Sequence, residues 1–287
     1  MPGGAAGKSR VVDSFRRDGL TFDVLDAGPA DGEPVVLLHG FPQDATAWDQ
    51  VVPALHQHGL RTLAPHQRGY SPMARPRGRS RYTIRETARD VVALLDAAGL
   101  ERAHVVGHDW GGIAAWGLGA WHPDRVRTLT VLSVPHPAAM TRAMVTSDQA
   151  LRSFYMGLFQ LPLLPERLLL ARGGAALRRL LRSGGLPHDA VDRYVARMHE
   201  PGALSAALGW YRALPWSGRD PVGRVRVPTL HVWSTRDAFL GRAATEGTGR
   251  FVDAPYRLEV LDDVTHWIPE LAPDRVAELV TAHVRSA

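Results

Sequence analysis

The chain has 287 residues, 45% hydrophobic and 22% charged, a balance typical of a globular protein and too apolar for a disordered one. It contains no cysteine, which excludes disulfide bonds and thiolate chemistry. The formal net charge is +5, and only Lys8 among the 34 basic residues is a lysine. The arginines are scattered rather than clustered on one element, so we expect no nucleic-acid partner.

The N-terminal segment and the hydropathy pattern bear on location. Residues 1–10 are rich in glycine and alanine and lack the apolar core of a signal peptide, so we expect a flexible tail. No stretch reaches the length of apolar residues that a membrane span needs, so we expect no membrane partner. These features favour a cytoplasmic protein, and they leave the oligomeric state open between a monomer and a homodimer.

Short apolar runs alternate with helical patterns through the first half of the chain. Such alternation is typical of a parallel sheet whose strands are joined by crossover helices. In chain order we predict a hairpin over 11–17 and 20–25, a strand over 35–38, a helix over 45–56, a strand over 61–64, a helix over 84–98, and strands over 103–106 and 127–134.

The pattern changes after residue 134. Up to about residue 221 the sequence is helical, rich in leucine, arginine and glycine, and has no convincing strand. Alternation then resumes, with strands predicted over 229–233 and 257–261 and a helix over 273–284. We therefore predict an α/β fold with a mostly parallel central sheet flanked by helices. Its core domain would comprise residues 11–134 and 222–287, with residues 135–221 inserted between strands as a helical cap.

A candidate nucleophile lies where the strand over 103–106 meets a helix. The pattern there is Gly107-His108-Asp109-Trp110-Gly111, with glycines two residues before and after the aspartate. A strand that turns at once into a helix strains the central residue and crowds those neighbours. Backbone N–H groups at the helix start would stabilise the Asp109 carboxylate. The alternative is an ordinary turn with an acidic N-cap.

Two further polar residues follow predicted strands later in the chain. Asp237 comes after the strand ending at 233, and His266 comes after the strand ending at 261. The order nucleophile, acid, histidine is the chain order of one hydrolase triad. Alone, each is weak evidence, because the chain has 13 histidines and an aspartate after a strand is often a helix cap.

The loop His39-Gly40-Phe41-Pro42 follows the strand over 35–38 and adds a fourth piece. We expect the N–H of Phe41 to form an oxyanion hole together with the N–H of Trp110, the residue after the candidate nucleophile. His39 and Pro42 are placed at the substrate site by the same loop. The alternative is a tight turn with no chemical role.

These motifs, HGFP, GHDWGG, an aspartate in a strand-end loop and a late HW, resemble the α/β-hydrolase superfamily, specifically its soluble epoxide-hydrolase branch. The resemblance runs from about residue 11 to residue 284. It implies the α/β-hydrolase fold, a small-molecule epoxide and water as reactants, a vicinal diol as product, and neither cofactor nor metal.

Two segments of the predicted cap sharpen the resemblance. Tyr155-x-x-x-Phe159-Gln160 and Trp210-Tyr211-Arg212 resemble the segments that carry two ring-opening tyrosines in that branch. The resemblance therefore implies that Tyr155 and Tyr211 are acids, and it places Phe159 and Gln160 at the substrate. Alternatively, either tyrosine is an amphipathic side chain packed in the cap.

Trp110 and Trp267 are expected to wall the pocket. Three positions depart from the family pattern. Gln43 stands where an acidic residue often follows HGFP, His66 where an aspartate is common, and Thr265 where a glycine is common. We interpret His66 as a loop hydrogen-bonding residue rather than an extra base.

An aspartate nucleophile restricts the reaction. A carboxylate attacks an sp³ carbon that carries a leaving group and forms a covalent ester. An epoxide oxygen needs a proton donor, and two phenols suit that task, whereas a halide needs only donors such as an indole N–H. The sequence therefore favours an epoxide hydrolase. The alternatives are a haloalkane or haloacid dehalogenase, and a non-catalytic binding protein that keeps a vestigial triad.

Overall fold

Eight strands form a single sheet in the computed structural model, which describes residues 10–286. Their order is β1-β2-β4-β3-β5-β6-β7-β8. The strands are β1 Ser14–Arg17, β2 Leu20–Ala27, β3 Glu33–Leu38, β4 Leu60–Pro65, β5 Ala103–His108, β6 Val126–Leu132, β7 Thr229–Ser234 and β8 Tyr256–Leu261. The predicted N-terminal tail lies outside the described residues, except for Arg10.

The sheet is parallel from β4 to β8, and only β1 and β2 run antiparallel to their neighbours. The predicted fold class is therefore confirmed. Strands β5 and β7 are buried along their whole length, as expected for strands covered by helices on both faces. The carboxyl ends of these parallel strands meet at one edge of the sheet, where ligands bind in open α/β folds.

Helices cover both faces of the sheet and fill the segment between β6 and β7. They are α1 Val52–Gln57, α2 Ile84–Ala97, α3 Trp110–Trp121, α4 Pro137–Thr146, α5 Gln149–Arg152, α6 Tyr155–Phe159, α7 Leu164–Ser183, α8 His188–His199, α9 Ala203–Ala207, α10 Gly209–Arg212, α11 Leu214–Ser217, α12 Arg242–Gly247, α13 Ile268–Leu271 and α14 Pro273–Arg285. Within residues 10–286, no helix combines the length and apolar composition required to cross a bilayer.

Two predicted elements differ from the structure. The single helix predicted over 45–56 is wrong, because the segment forms a 3₁₀ turn, Ala45–Trp48, and then helix α1. The Asp44 side chain caps the turn by accepting the Thr46 N–H at 2.9 Å, and Pro53 favours a fresh helix start. Strand β1 begins three residues later than predicted, since the Val12 N–H donates to the Asp26 carboxylate instead of a strand partner.

Helices α4 to α11 form a continuous helical segment between β6 and β7, and we refer to residues 137–217 as the helical insertion. Its longest helix, α7, is interrupted between Ala171 and Gly174, where Arg172, Gly173 and Gly174 have positive φ angles. The insertion is therefore built of eight helices, the longest of them interrupted, and contains no strand. It lies against the loops at the carboxyl edge of the sheet and closes a cavity there.

Candidate active site

Asp109 is the single residue between the end of β5 and the start of α3. Its backbone has φ +50° and ψ −121°, a strained conformation for a residue with a side chain. The glycines that flank it have no room for a Cβ. A Cβ at Gly107 would lie 2.4 Å from the Gly111 carbonyl oxygen, and one at Gly111 would lie 2.2 Å from that of Leu38. The strained turn and the crowding predicted from the sequence are both present.

His266 lies between the two carboxylates that the sequence predicted as its partners. Its Nδ1 is 2.8 Å from Asp237 Oδ2, and its Nε2 is 3.6 Å from Asp109 Oδ2. Asp237 is itself fixed, because its Oδ1 accepts the backbone N–H groups of Phe239 and Leu240 at 2.8 and 3.0 Å. The imidazole is thus oriented with one nitrogen toward each carboxylate.

The charges in this arrangement reinforce one another. Burial opposes a charge on His266, but the Asp237 and Asp109 carboxylates outweigh it and raise the pKa of His266 to about 10. Burial likewise opposes ionisation of Asp109, but His266 holds the pKa of this carboxyl below its usual value. At neutral pH the site therefore contains an ionised Asp109 beside an imidazolium.

The loop after β3 reaches the Asp109 carboxylate directly. The N–H of Phe41 donates to Asp109 Oδ1 at 2.8 Å, and a Cβ at Gly40 would lie 2.4 Å from Asp109 Cβ. The loop can approach so closely because position 40 has no side chain. Trp110, the other predicted oxyanion residue, is the first residue of α3.

Tyr155 and Tyr211 line the same cavity as Asp109, and they lie on α6 and α10 of the helical insertion. Their rings are 6.0 Å apart, and the Tyr211 ring also contacts those of Phe41 at 5.3 Å and Trp110 at 4.8 Å. Burial raises the pKa of both phenols, and the Asp109 charge raises the pKa of Tyr155 further. Both hydroxyls therefore remain protonated at neutral pH.

Two apolar cavities meet at Asp109. The larger has a volume of about 450 Å³, and the smaller has a volume of about 230 Å³. Asp109, Tyr155 and Phe239 line both of them. The predicted site residues that line the larger cavity are Phe41, Pro42, Asp109, Tyr155, Phe159, Tyr211, His266 and Trp267, and Trp110 lines the smaller.

Comparison with known proteins agrees with this geometry. The model of a family described as having the alpha/beta hydrolase fold matches residues 33–273. The AB hydrolase superfamily protein YfhM of Bacillus subtilis is 34% identical over 94% of this chain and 96% of its own length. Epoxide hydrolase A of Mycobacterium tuberculosis is 33% identical over 93% of this chain and 94% of its own. The chain belongs to the α/β-hydrolase family, in its epoxide-hydrolase-like branch.

A solved structure from the same branch extends the likeness to the backbone. The crystal structure of epoxide hydrolase A from Mycobacterium thermoresistibile superposes with a TM-score of 0.82 and is 27% identical, covering 95% of this chain and 97% of its own. The two proteins therefore share the backbone arrangement of nearly the whole chain, including the loops at the carboxyl edge of the sheet and the inserted helices.

Two residues predicted at the substrate lie elsewhere in this α/β hydrolase. The buried His39 ring packs against Tyr70, and its Nε2 accepts the Gln67 N–H at 3.2 Å. Gln160 donates from Nε2 to the Tyr211 carbonyl oxygen at 2.7 Å and so joins α6 to α10. Neither residue lines the two cavities. The side chains of His39 and Gln160 form these hydrogen bonds within the protein instead of facing the cavities.

The three positions that depart from the family pattern all contact the helical insertion, directly or through one residue. His66 Nδ1 accepts a hydrogen bond from Arg197 at 3.1 Å, as expected for a loop hydrogen-bonding residue. The Thr265 hydroxyl donates to the Gly184 carbonyl oxygen at 2.5 Å. Gln43 contacts the insertion indirectly, because its Nε2 donates to Glu270 Oε1, which also accepts the hydroxyl of Tyr194 on α8. All three positions therefore take part in contacts between the core and the insertion.

Sequence reasoning missed two residues of the site. Phe239 packs its ring 5.0 Å from that of His266 and separates the two cavities. Its position two residues after Asp237 was a usable signal. Glu270 lies four residues after His266 and its carboxyl group is buried, but nothing in the local pattern marks it. In the described part of the chain, no three histidine, aspartate or glutamate side chains are grouped so that they could hold a metal ion.

Proposed function

We propose that the protein is an epoxide hydrolase that opens its substrate through a covalent ester of Asp109. The observation that carries this proposal is that an ionised carboxylate and two protonated phenols line the same apolar cavity. An epoxide needs both, because the ring carbon takes the nucleophile while the ring oxygen takes a proton. The relatives named epoxide hydrolase support the same substrate class.

In the first half of the reaction, an Asp109 oxygen forms a bond to the ring carbon as the carbon–oxygen bond of the epoxide breaks. The ring oxygen takes a proton from Tyr155 or Tyr211, which leaves a phenolate. The negative charge of Asp109 disappears in the ester, so the pKa of His266 falls and the imidazolium passes its proton to the phenolate. The site then holds a neutral histidine beside an ester.

In the second half, His266 removes a proton from water, which attacks the carbonyl carbon of the ester. The N–H groups of Phe41 and Trp110 stabilise the resulting oxyanion. Asp237 orients His266 for this step and stabilises the imidazolium that forms. The diol alkoxide leaves and takes the carboxylic-acid proton, which returns Asp109 as a carboxylate.

The two cavities indicate the substrate's shape. Because they meet at Asp109, a reacting carbon placed there has apolar space on both sides. Met140, Met144 and Met156 line the smaller cavity, and methionine side chains adapt to varied apolar groups. The arrangement fits an epoxide substituted on both carbons, with the smaller substituent toward the methionines.

A dehalogenase on the same scaffold is the main rival, and its halide would be held by indole N–H groups. Trp267 is poorly placed for that role. A Cβ at Gly184 would lie 2.3 Å from its indole nitrogen, so this nitrogen packs against the insertion backbone. A binding protein with a vestigial triad is disfavoured by the complete set of Asp109, Asp237 and His266.

The test is single-turnover kinetics on an epoxide and on a haloalkane. We expect Tyr155→Phe and Tyr211→Phe each to slow alkylation by the epoxide about 100-fold, in the range for one positioned acid, and the double variant to fall to background. Phenylalanine keeps the ring and its packing, so the change isolates the hydroxyl. An unchanged epoxide rate in the double variant would refute the proposal. Haloalkane turnover in that variant, without epoxide turnover in the wild type, would favour the dehalogenase.

The division into a core, residues 11–134 and 222–287, and a cap, residues 135–221, is part of this proposal. So are the cytoplasmic location and the choice between monomer and homodimer. Limited proteolysis of the purified protein tests the domain division, and sedimentation tests the oligomeric state.

A further inference from the structure

The carboxyl group of Glu270 is buried near His266, and no cationic side chain among residues 10–286 pairs with it directly. Oε1 of Glu270, on α13, accepts hydrogen bonds from Gln43 Nε2 at 2.7 Å and from the Tyr194 hydroxyl at 2.8 Å. Its Oε2 is buried and has no hydrogen-bond partner among the described residues. A carboxyl group held by two neutral donors is costly to bury, and the steps derived above make no use of it.

Gln43 connects this carboxyl group to both sides of the active site. Its amide oxygen accepts the Gly40 N–H at 2.9 Å, immediately before the Phe41 N–H that contacts Asp109. The same oxygen is 2.8 Å from His108 Nδ1, and His108 Nε2 is 2.8 Å from the carbonyl oxygen of His266. One amide oxygen therefore accepts the N–H of the oxyanion loop and also lies against His108, whose other ring nitrogen faces the backbone of His266.

The orientation of that amide depends on the residue it faces. An ionised carboxylate only accepts hydrogen bonds, so it requires the nitrogen of Gln43 to point toward Glu270. The amide oxygen is then directed at Gly40 and His108, as observed. A protonated carboxyl can also donate, and it no longer enforces this orientation.

The ionisation of Glu270 falls near neutral pH. Burial raises the pKa of Glu270 to about 7, against the hydrogen bonds from Gln43 and Tyr194, which lower it. The titratable and charged groups around it are Tyr194 on α8, His266 in the preceding loop, His108 at the end of β5 and, beyond Tyr194, Asp44 and Arg193. Because Glu270 and His266 interact, a carboxylate at 270 also makes His266 the stronger base.

We propose that Glu270 is a positioning residue for ester hydrolysis, which as a carboxylate locks Gln43 and thereby aligns the Phe41 loop with His266. The inference rests on the proposed function, since it concerns the breakdown of the Asp109 ester. At pH values above the pKa of Glu270 the carboxylate holds Gln43 in this orientation, and as the pH falls through that pKa the hold is lost. The rate of hydrolysis should therefore rise with pH through the neutral range.

The experiment measures breakdown of the covalent intermediate after a single turnover, as a function of pH. Glu270→Gln should slow breakdown about 10-fold above neutral pH, in line with the cost of slight misalignment, and should remove the ionisation near neutrality. Tyr194→Phe deletes a hydrogen bond that lowers the pKa of Glu270, so it should shift that ionisation to higher pH. The double variant Gln43→Glu with Glu270→Gln restores a carboxyl–amide pair in reverse and should recover most of the lost rate.

Two results would overturn the inference. One is a Glu270→Gln enzyme with the wild-type rate and pH profile. The other is a Glu270→Gln enzyme whose rate of breakdown falls by the same factor at every pH, with a wild-type pH profile in Tyr194→Phe and no recovery in the double variant. That is the behaviour of a merely structural residue. A wild-type enzyme that forms no covalent intermediate with any epoxide would instead refute the proposed function, and this inference with it.

Discussion

The turn at Asp109 and the helical insertion hold their reactive side chains in different ways. At the turn, the backbone itself fixes Asp109, because Gly107 and Gly111 allow main-chain atoms to approach where any Cβ would clash. In the insertion, Tyr155 and Tyr211 are held by side-chain packing and by ties such as the hydrogen bond from Gln160 to the Tyr211 carbonyl.

The difference indicates a division of labour. Asp109, the proposed nucleophile, lies at the sheet edge in a turn with no room for displacement, while the two proposed acids lie on short helices of the insertion. Variants that disturb the turn should therefore lower the free energy of unfolding and slow both half-reactions. Variants that disturb the insertion should affect mainly the step in which the tyrosines act.

The largest effect is expected from Gly111→Ala. The added Cβ would lie 2.2 Å from a backbone oxygen, which cannot move without displacing β3. We expect the free energy of unfolding to fall by about 3 kcal/mol and both half-reactions to slow by about 100-fold or more. Chemical denaturation and single-turnover kinetics check this.

Gly157→Ala, in α6, is the matched control. Nothing lies within 4 Å of a Cβ there, so alanine should raise stability slightly and leave both half-reactions unchanged. Wild-type stability in Gly111→Ala, or a severe loss in Gly157→Ala, would break the contrast between the two regions.

A smaller and more selective effect is expected from Gln160→Ala. The change removes the hydrogen bond between α6 and α10, at a cost of about 1 kcal/mol in the free energy of unfolding. Alkylation should slow because the two phenols lose their alignment, while breakdown of the ester should not change. A loss confined to substrate binding would show instead that Gln160 contacts the substrate, as the sequence had suggested.

The sequence predicted the sheet edge well because the constraint there is local. Two glycines, one aspartate and a strand-to-helix transition lie within five residues. The parallel strands are recognisable in the sequence as apolar runs. The triad follows from three such strand ends. What the structure adds are the distances from His266 to the two carboxylates, which raise the pKa of His266 to about 10.

Contacts between distant segments could not be predicted in this way. Gln43 and Glu270 are 227 residues apart, and no periodicity relates them. His39 and Gln160 were predicted at the substrate but line neither cavity, because proximity to a motif does not determine which way a side chain points. The helix predicted over 45–56 failed because a cap at Asp44 and a proline at residue 53 outweighed its apolar spacing.

The central claim is that the substrate becomes covalently bound to Asp109 and is released by His266, and intact-mass analysis of His266→Gln tests it most directly. This variant keeps the nucleophile and both phenols but lacks the base for hydrolysis. After incubation with an epoxide that the wild type converts, the account predicts protein heavier by one substrate mass, on the peptide that contains Asp109, and none in the double variant with Asp109→Ala. Loss of turnover without any adduct, or an adduct on another residue, would contradict it.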